Sequence, residues 1–185
     1  SCDFDPLVKM AIIHYQFESI HPFYDSNGRT GRIINILYLI LEKLQNLPIL
    51  YLSNYIIKNK SDYYRLLQEV REKNNWEDWI LFMIKGIEHT SRETIDLILQ
   101  VRELMMHYKH TLREQYKFYS QDLLNNLFKH PYTKIEFIQR DLNVSRITAA
   151  NYLNQLAEDK ILTKKKLGTG NYYINQPLFE LLTKR

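Results

Sequence analysis

The sequence predicts a mainly helical chain that ends in a helix-turn-helix segment and a small β-hairpin. Three observations carry this. Only 5 glycines and 5 prolines are spread over 185 residues, which favours long helices with few tight turns. The run Ile33-Ile34-Asn35-Ile36-Leu37-Tyr38-Leu39-Ile40-Leu41 is too apolar for a loop and reads as a buried helix. Beyond residue 120, helical stretches with caps precede two short strand-like runs separated by Gly168-Thr169-Gly170.

Asp5 caps a first helix, with Pro6 in its first turn, that runs to about Ser19. A loop over 20–28 follows, then the apolar helix over 29–46, interrupted by Pro48. Ser53 or Asn54 starts a short helix, and Ser61 caps another that reaches Glu72. Trp76 to Met83 is a further apolar helix, with Trp76 and Trp79 as core anchors. From Ile87 to about Tyr116 a long amphipathic helix carries a stripe at Leu97, Val101, Leu104 and Tyr108. That stripe reads as packing, with a homodimer seam as the alternative.

Gln121–Lys129 is a helix, and Thr133 or Lys134 opens the next, through Ile138 to near Leu142. Asn143-Val144 makes the turn. Ser145 then caps a helix over 146–159 whose apolar side is Ile147, Ala150, Leu153 and Leu156. Ile161–Leu167 and Asn171–Ile174 form the hairpin. This order reads as a winged helix-turn-helix and divides the chain into two domains, 1–110 and 111–185.

Charge follows the same division. The whole chain has a net charge of +4, but residues 1–110 carry −1 and residues 111–185 carry +5. A basic C-terminal part suggests an anionic partner. The second helix of such a unit enters the DNA major groove, and its exposed side here offers Arg146, Thr148, Asn151, Asn154 and Gln155. Lys164, Lys165 and Lys166 on the wing are expected to touch phosphates. The competing reading is a protein-docking wing, because that helix bears one Arg and also Glu158 and Asp159. No apolar run reaches membrane-spanning length, no signal peptide is visible, and the single Cys2 excludes an internal disulfide. A cytoplasmic location without membrane contact fits.

The most informative stretch joins the first two helices: His21-Pro22-Phe23-Tyr24-Asp25-Ser26-Asn27-Gly28-Arg29-Thr30-Gly31-Arg32. It feeds a helix start near Arg29, where free backbone N–H groups and the helix dipole favour an anion. Asn27-Gly28 is a turn signal, since both residues tolerate positive φ, and a turn there directs successive N–H groups into an anion nest. Arg29 and Arg32 share a helix face and suit phosphate oxygens. Asp25 is a hard oxygen ligand beside them, and a carboxylate plus substrate phosphates is the usual way to hold Mg²⁺. His21 alone exchanges a proton near neutral pH. Together these residues suggest a nucleoside triphosphate, Mg²⁺ and a general base, hence attack of a hydroxyl on a phosphoryl centre. The chain has no Gly-x-x-x-x-Gly-Lys-Ser/Thr segment, so this is not a P-loop.

The same stretch closely resembles the signature of the Fic family, His-x-Phe-x-(Asp/Glu)-(Gly/Ala)-Asn-(Gly/Lys)-Arg-x-x-Arg. Every defining position matches except Ser26. The resemblance continues through Asp5–Ile20, Asn59-Lys60-x-x-Tyr63-Tyr64 and Trp76-x-x-Trp79, roughly the first half of the chain. Most Fic proteins resemble AMP transferases, which move AMP from ATP onto a Ser, Thr or Tyr hydroxyl of a protein target and release pyrophosphate. The resemblance implies a helical Fic core with His21 as general base and Asp25 on Mg²⁺. It also implies that Asn27, Gly28 and Arg29 cradle phosphates, that Arg32 holds the γ-phosphate, and that Phe23 anchors the loop in the core. Either Tyr63 or Tyr64 would line the adenosine pocket.

Because the family accepts Ala at position 26, the site is not expected to need glycine's φ. Ser26 then adds only a hydroxyl that donates to a phosphate or crowds it. Two alternatives differ in class: a DNA-binding regulator with a nucleotide-sensing Fic domain, or a member that removes AMP or moves another phosphate-containing group. Intact His21, Asp25, Asn27 and Arg32 argue against a degenerate sensor. His14 reads as a satisfied core histidine, and His107 and His110 as solvated helix residues. The inhibitory pattern Ser/Thr-x-x-x-Glu-(Gly/Asn) of the family is absent from this sequence. The chain starts without Met one helix before the loop, so it reads as a fragment. The inhibitory glutamate and the target-aligning hairpin are expected upstream.

Overall fold

Asp5 sets the first helix: its carboxylate accepts the Leu7 N–H at 2.8 Å, and Pro6 occupies the first helical position. The computed structural model describes residues 4–183, so Cys2 lies outside the described residues. Contacts divide the chain into two units that meet in sequence at Ile95 and Asp96.

The first unit holds α1 (Pro6–Ile20), α2 (Asn27–Leu41), α3 (Leu52–Lys58), α4 (Lys60–Lys73) and the first half of α5 (Trp76–Gln115). Its core gathers Met10, Ala11, Leu39, Leu52, Ile56, Tyr63, Leu66, Val70, Trp79, Phe82 and Met83. Trp79 is fully buried and donates its indole N–H to the Ala11 carbonyl at 3.0 Å. His14 is buried too, with Nε2 2.9 Å from the Tyr63 hydroxyl and Nδ1 3.1 Å from Asn35 Nδ2. The histidine is therefore part of a packed polar seam between α1, α2 and α4.

The helix α2 is not buried all round, as its apolar run suggests. Asn27, Gly31, Asn35 and Leu39, four apart, form its buried stripe, while Ile33, Leu37 and Leu41 are more than half exposed. The inward stripe is small and polar because α1 approaches closely. A Cβ on Gly31 would stand 2.9 Å from Glu18 Oε1 and 3.1 Å from the His14 ring. The helix also starts and ends earlier than expected, at Asn27 and Leu41, and Lys43 just beyond takes φ 59.

The apolar and amphipathic stretches over 76–83 and 87–116 are one helix. Gly86 does not break α5. It lets Tyr55 close on the helix, where an added Cβ would meet Tyr55 Cδ1 at 2.7 Å. The packing gained there offsets the roughly 1 kcal/mol that glycine costs inside a helix.

The second unit contains α6 (Gln121–Lys129), β1 (Tyr132–Thr133), α7 (Ile135–Leu142), α8 (Arg146–Glu158), β2 (Thr163–Leu167), β3 (Gly170–Ile174) and α9 (Gln176–Thr183). The strands form an antiparallel sheet of order β1-β3-β2, with Tyr132 opposite Ile174 and Lys164 opposite Tyr173. Ser145 caps α8 by accepting the Thr148 N–H at 3.1 Å, and Asn143 ends α7 in the left-handed region at φ 54. Gly168 takes φ 58 in the hairpin turn. The core joins Tyr108 and Leu112 of α5 to Leu123, Leu127, Ile138, Leu153, Leu156 and Tyr173. The inward side of α8 is Ala149, Leu153 and Leu156, and Ile147 is 74% exposed. Ile147 stands two residues from Ala149, which turns it to the opposite side of the helix. The short strand β1 and the terminal helix α9 add to the expected elements.

Candidate active site

The loop between α1 and α2 is closed by one side chain. Asn27 is buried, accepts the Phe23 N–H at 3.0 Å and donates to the Phe23 carbonyl at 2.6 Å. This pairing draws Asn27 into the first position of α2, so Asn27-Gly28 is not a turn. The left-handed residue is Ser26, at φ 73 and ψ 11, contrary to the expectation that this position needs no special φ. Phe23 does not anchor the loop in the core: its ring is 50% exposed and sits 6.2 Å from that of Phe17. Asn27 anchors the loop instead, through polar bonds.

The first hydrogen bond of α2 runs from the Thr30 N–H to the Ser26 carbonyl at 3.0 Å, and no side chain caps the helix. The N–H groups of Asn27, Gly28 and Arg29 are therefore left without a helical acceptor. Arg29 flanks them, donating to Ser26 Oγ and lying 3.8 Å from Asp25 Oδ2. Asp25 Oδ1 accepts the Ser26 N–H at 2.6 Å. Arg32, one turn further on, extends across Gly28, where Nη1 lies 3.2 Å from the place of a Cβ. Its Nε donates to Ser53 Oγ of α3 at 2.7 Å.

His21 is the C-cap of α1, at φ 51, with its N–H on the Phe17 carbonyl at 3.0 Å and its side chain exposed. It lines a cavity of about 520 Å³ together with Glu18, Ser19, Tyr64, Gln68 and Arg71. Glu18 stands one helical turn before His21. Its Oε1 is buried without a hydrogen-bond partner and lies against Gly31 and Gly28. Burial raises the Glu18 pKa, against the pull of the His21 and Arg32 charges.

Two comparisons bear on this site. Residues 1–39, which hold the loop, match the model of the Fic/DOC family. Residues 104–178 match the model described as "Protein adenylyltransferase SoFic-like, C-terminal domain". Both ends of the chain are thus similar to parts of Fic-type proteins. The chain also aligns with the crystal structure of a Fic family protein from Desulfovibrio desulfuricans G20, at 25% identity and a TM-score of 0.49. That alignment covers 94% of this chain and 50% of the other, so the chain spans about half the length of that protein.

The loop brings Asp25, Ser26, Asn27, Gly28, Arg29 and Arg32 together at the start of α2, while His21 ends α1 and lines the cavity beside Glu18. The two tyrosines separate. Tyr63 is buried against His14 and Trp79, where burial pushes its hydroxyl pKa well up, whereas Tyr64 is 58% exposed and lines the cavity with His21. Among the described residues no group of three or more His, Cys, Asp or Glu is placed to hold a metal ion. No described helix is long and apolar enough to cross a membrane.

The candidate nucleic-acid residues do not form one row. Arg146 and Asn151 are exposed on α8, but Thr148 is engaged with the Ser145 cap through N–H and hydroxyl. Asn154 points inward, accepting from Lys164 Nζ and the Tyr173 hydroxyl, both at 2.8 Å. Lys164 pairs with Tyr173 and Lys166 with Asn171, while Lys165 pairs with Tyr172 on the other face of the hairpin, as strand alternation requires. Ser53 and Glu18 are the site residues that sequence reasoning missed. The turn spacing between Glu18 and His21 was an available signal. None links Arg32 to Ser53.

Proposed function

We propose that the Fic unit transfers AMP from ATP to a Ser, Thr or Tyr hydroxyl of a protein. The start of α2 carries this reading: three N–H groups without helical acceptors stand beside Arg29 and Arg32, and His21 lines the adjoining cavity. The N–H groups and Arg29 take the α- and β-phosphates, and Arg32 takes the γ-phosphate. Tyr64 offers its ring to the adenosine. The acceptor oxygen attacks the α-phosphorus and its proton goes to His21. The bond from the α-phosphorus to the bridging oxygen breaks, and pyrophosphate leaves.

Asp25 fits a magnesium ion by the chemistry of its donor set. It is one exposed carboxylate beside a phosphate-sized anion site, and Mg²⁺ takes one or two carboxylates together with substrate phosphates. A bound Mg²⁺ would neutralise phosphate charge there. The likeness to a protein adenylyltransferase C-terminal domain supports AMP as the group moved. The second unit, with its capped α8 and its hairpin, reads as a winged helix-turn-helix that regulates the first.

The test is incubation of the chain with ATP labelled at the α-phosphate, Mg²⁺ and a cell lysate. The expected result is a labelled protein band that disappears in His21→Ala. Label that persists in that variant contradicts the reading.

A further inference from the structure

We infer that Ser53 is a positioning residue, which aims Arg32 at the nucleotide and keeps it from pairing with Glu18. This rests on the phosphate-binding role proposed above for Arg32. A guanidinium has five N–H donors in a fixed plane. Ser53 accepts one of them, from Nε at 2.7 Å, across 21 residues of sequence. That single bond orients the plane and leaves the four donors on Nη1 and Nη2 for a ligand. Nη1 then lies over Gly28, beside the N–H groups of the helix end.

Ser53 is well placed to hold this aim. It is the second residue of α3, between Leu52 and Ile56, which are 1% and 4% exposed and fix that helix in the core. Its hydroxyl is also the right kind of partner. A neutral acceptor satisfies Nε and leaves the positive charge of Arg32 uncompensated, which an anion needs.

A charged acceptor stands close by. Glu18 Oε1 is buried, has no hydrogen-bond partner, and lies 3.8 Å from the same Gly28 Cβ position that Nη1 approaches at 3.2 Å. No ion pair joins Glu18 to Arg32 among the described residues. Opposite charges attract, so a guanidinium released from Ser53 turns to the carboxylate and is neutralised. Ser53 and Glu18 are thus rival partners for one arginine. The first presents it and the second withdraws it.

Titration calorimetry of the 185-residue chain with Mg-ATP and with Mg-ADP tests this. Ser53→Ala is expected to weaken ATP about tenfold while ADP changes by less than about twofold, since ADP lacks the group that Arg32 meets. Ser53→Thr keeps the hydroxyl and is expected to restore ATP binding. In the double variant Ser53→Ala with Glu18→Gln, most of the lost ATP affinity returns, because the competing charge is gone. An unchanged ATP/ADP ratio in Ser53→Ala, alongside a lowered ratio in Arg32→Ala, overturns the role of Ser53 and leaves the functional reading standing. A double variant as weak as Ser53→Ala overturns the rivalry with Glu18. A parent chain that binds neither nucleotide overturns the functional reading and this inference together.

Discussion

The Nε2 of His14 lies 2.9 Å from the Tyr63 hydroxyl, and both groups are buried beneath the first turns of α2. Burial is the main influence on this imidazole and brings its pKa from 6.5 down to about 4, with the Arg32 charge pushing the same way. Gly31 and Asn35 act in the opposite sense through hydrogen bonds. The folded chain therefore keeps His14 neutral while the unfolded chain protonates it near pH 6.5.

Stability should accordingly fall with acidification. Between pH 6.5 and 4 the unfolded state binds the extra proton, so unfolding becomes easier by about 3 kcal/mol over that window. Glu18, whose pKa is raised, works in the opposite direction at the acid end. Denaturant titrations at several pH values should show the decline in the parent and a flatter profile in His14→Gln. An equal slope in both would assign the effect to another group.

His21→Ala should lower transfer by about 10²- to 10⁴-fold, the usual cost of losing a general base. ATP affinity should stay within about twofold, because the exposed imidazole acts on the acceptor hydroxyl. Single-turnover rates and equilibrium binding separate the two effects. Parallel losses in both would assign His21 to nucleotide binding.

Ser26→Gly should stabilise the chain by about 1 kcal/mol, since glycine adopts φ 73 without the Cβ penalty. Ser26→Val should destabilise it by about 1–2 kcal/mol, because a β-branched residue resists that conformation. Thermal melts of the two variants give the order. Equal melting temperatures would remove conformational strain as the property that matters at this position.

Asn154→Ala should cost about 1–3 kcal/mol, because it strands the hydroxyl of Tyr173, a residue that is 1% exposed. Asn151→Ala, on the exposed side of the same helix, should stay within about 0.5 kcal/mol. Urea unfolding distinguishes them, and similar costs for both would place Asn154 outside the core network.

Local chemistry was legible. Asp5, Pro6, Asn143 and Ser145 marked helix ends through caps and fixed backbone angles, and the structure has α1, α7 and α8 where they point. The loop was legible as a set of residue types but not as a conformation. Ser26, Asn27 and Gly28 all tolerate turns, and only the bonds from Asn27 back to Phe23 decide that the left-handed residue is Ser26. The stretches over 76–83 and 87–116 read as two helices, because the packing of Gly86 against Tyr55, 31 residues earlier, leaves no local mark. On α8 the larger Ile147 makes the stronger apolar signal, although the four-then-three spacing to Leu153 and Leu156 favours Ala149. The bond from Arg32 to Ser53 joins separate helices, so no periodicity announces it.

The outward stripe of α2, Ile33, Leu37 and Leu41, adds apolar surface that bears on how the protein behaves in the flask. Salts excluded from protein surfaces strengthen apolar association, so ammonium sulfate should bring the chain out of solution early and bind it firmly to a phenyl resin. Lowering the salt should release it. Light scattering during purification will therefore report in part on this helix face, and Leu37→Lys should shift the precipitation point upward without touching the anion end of the same helix.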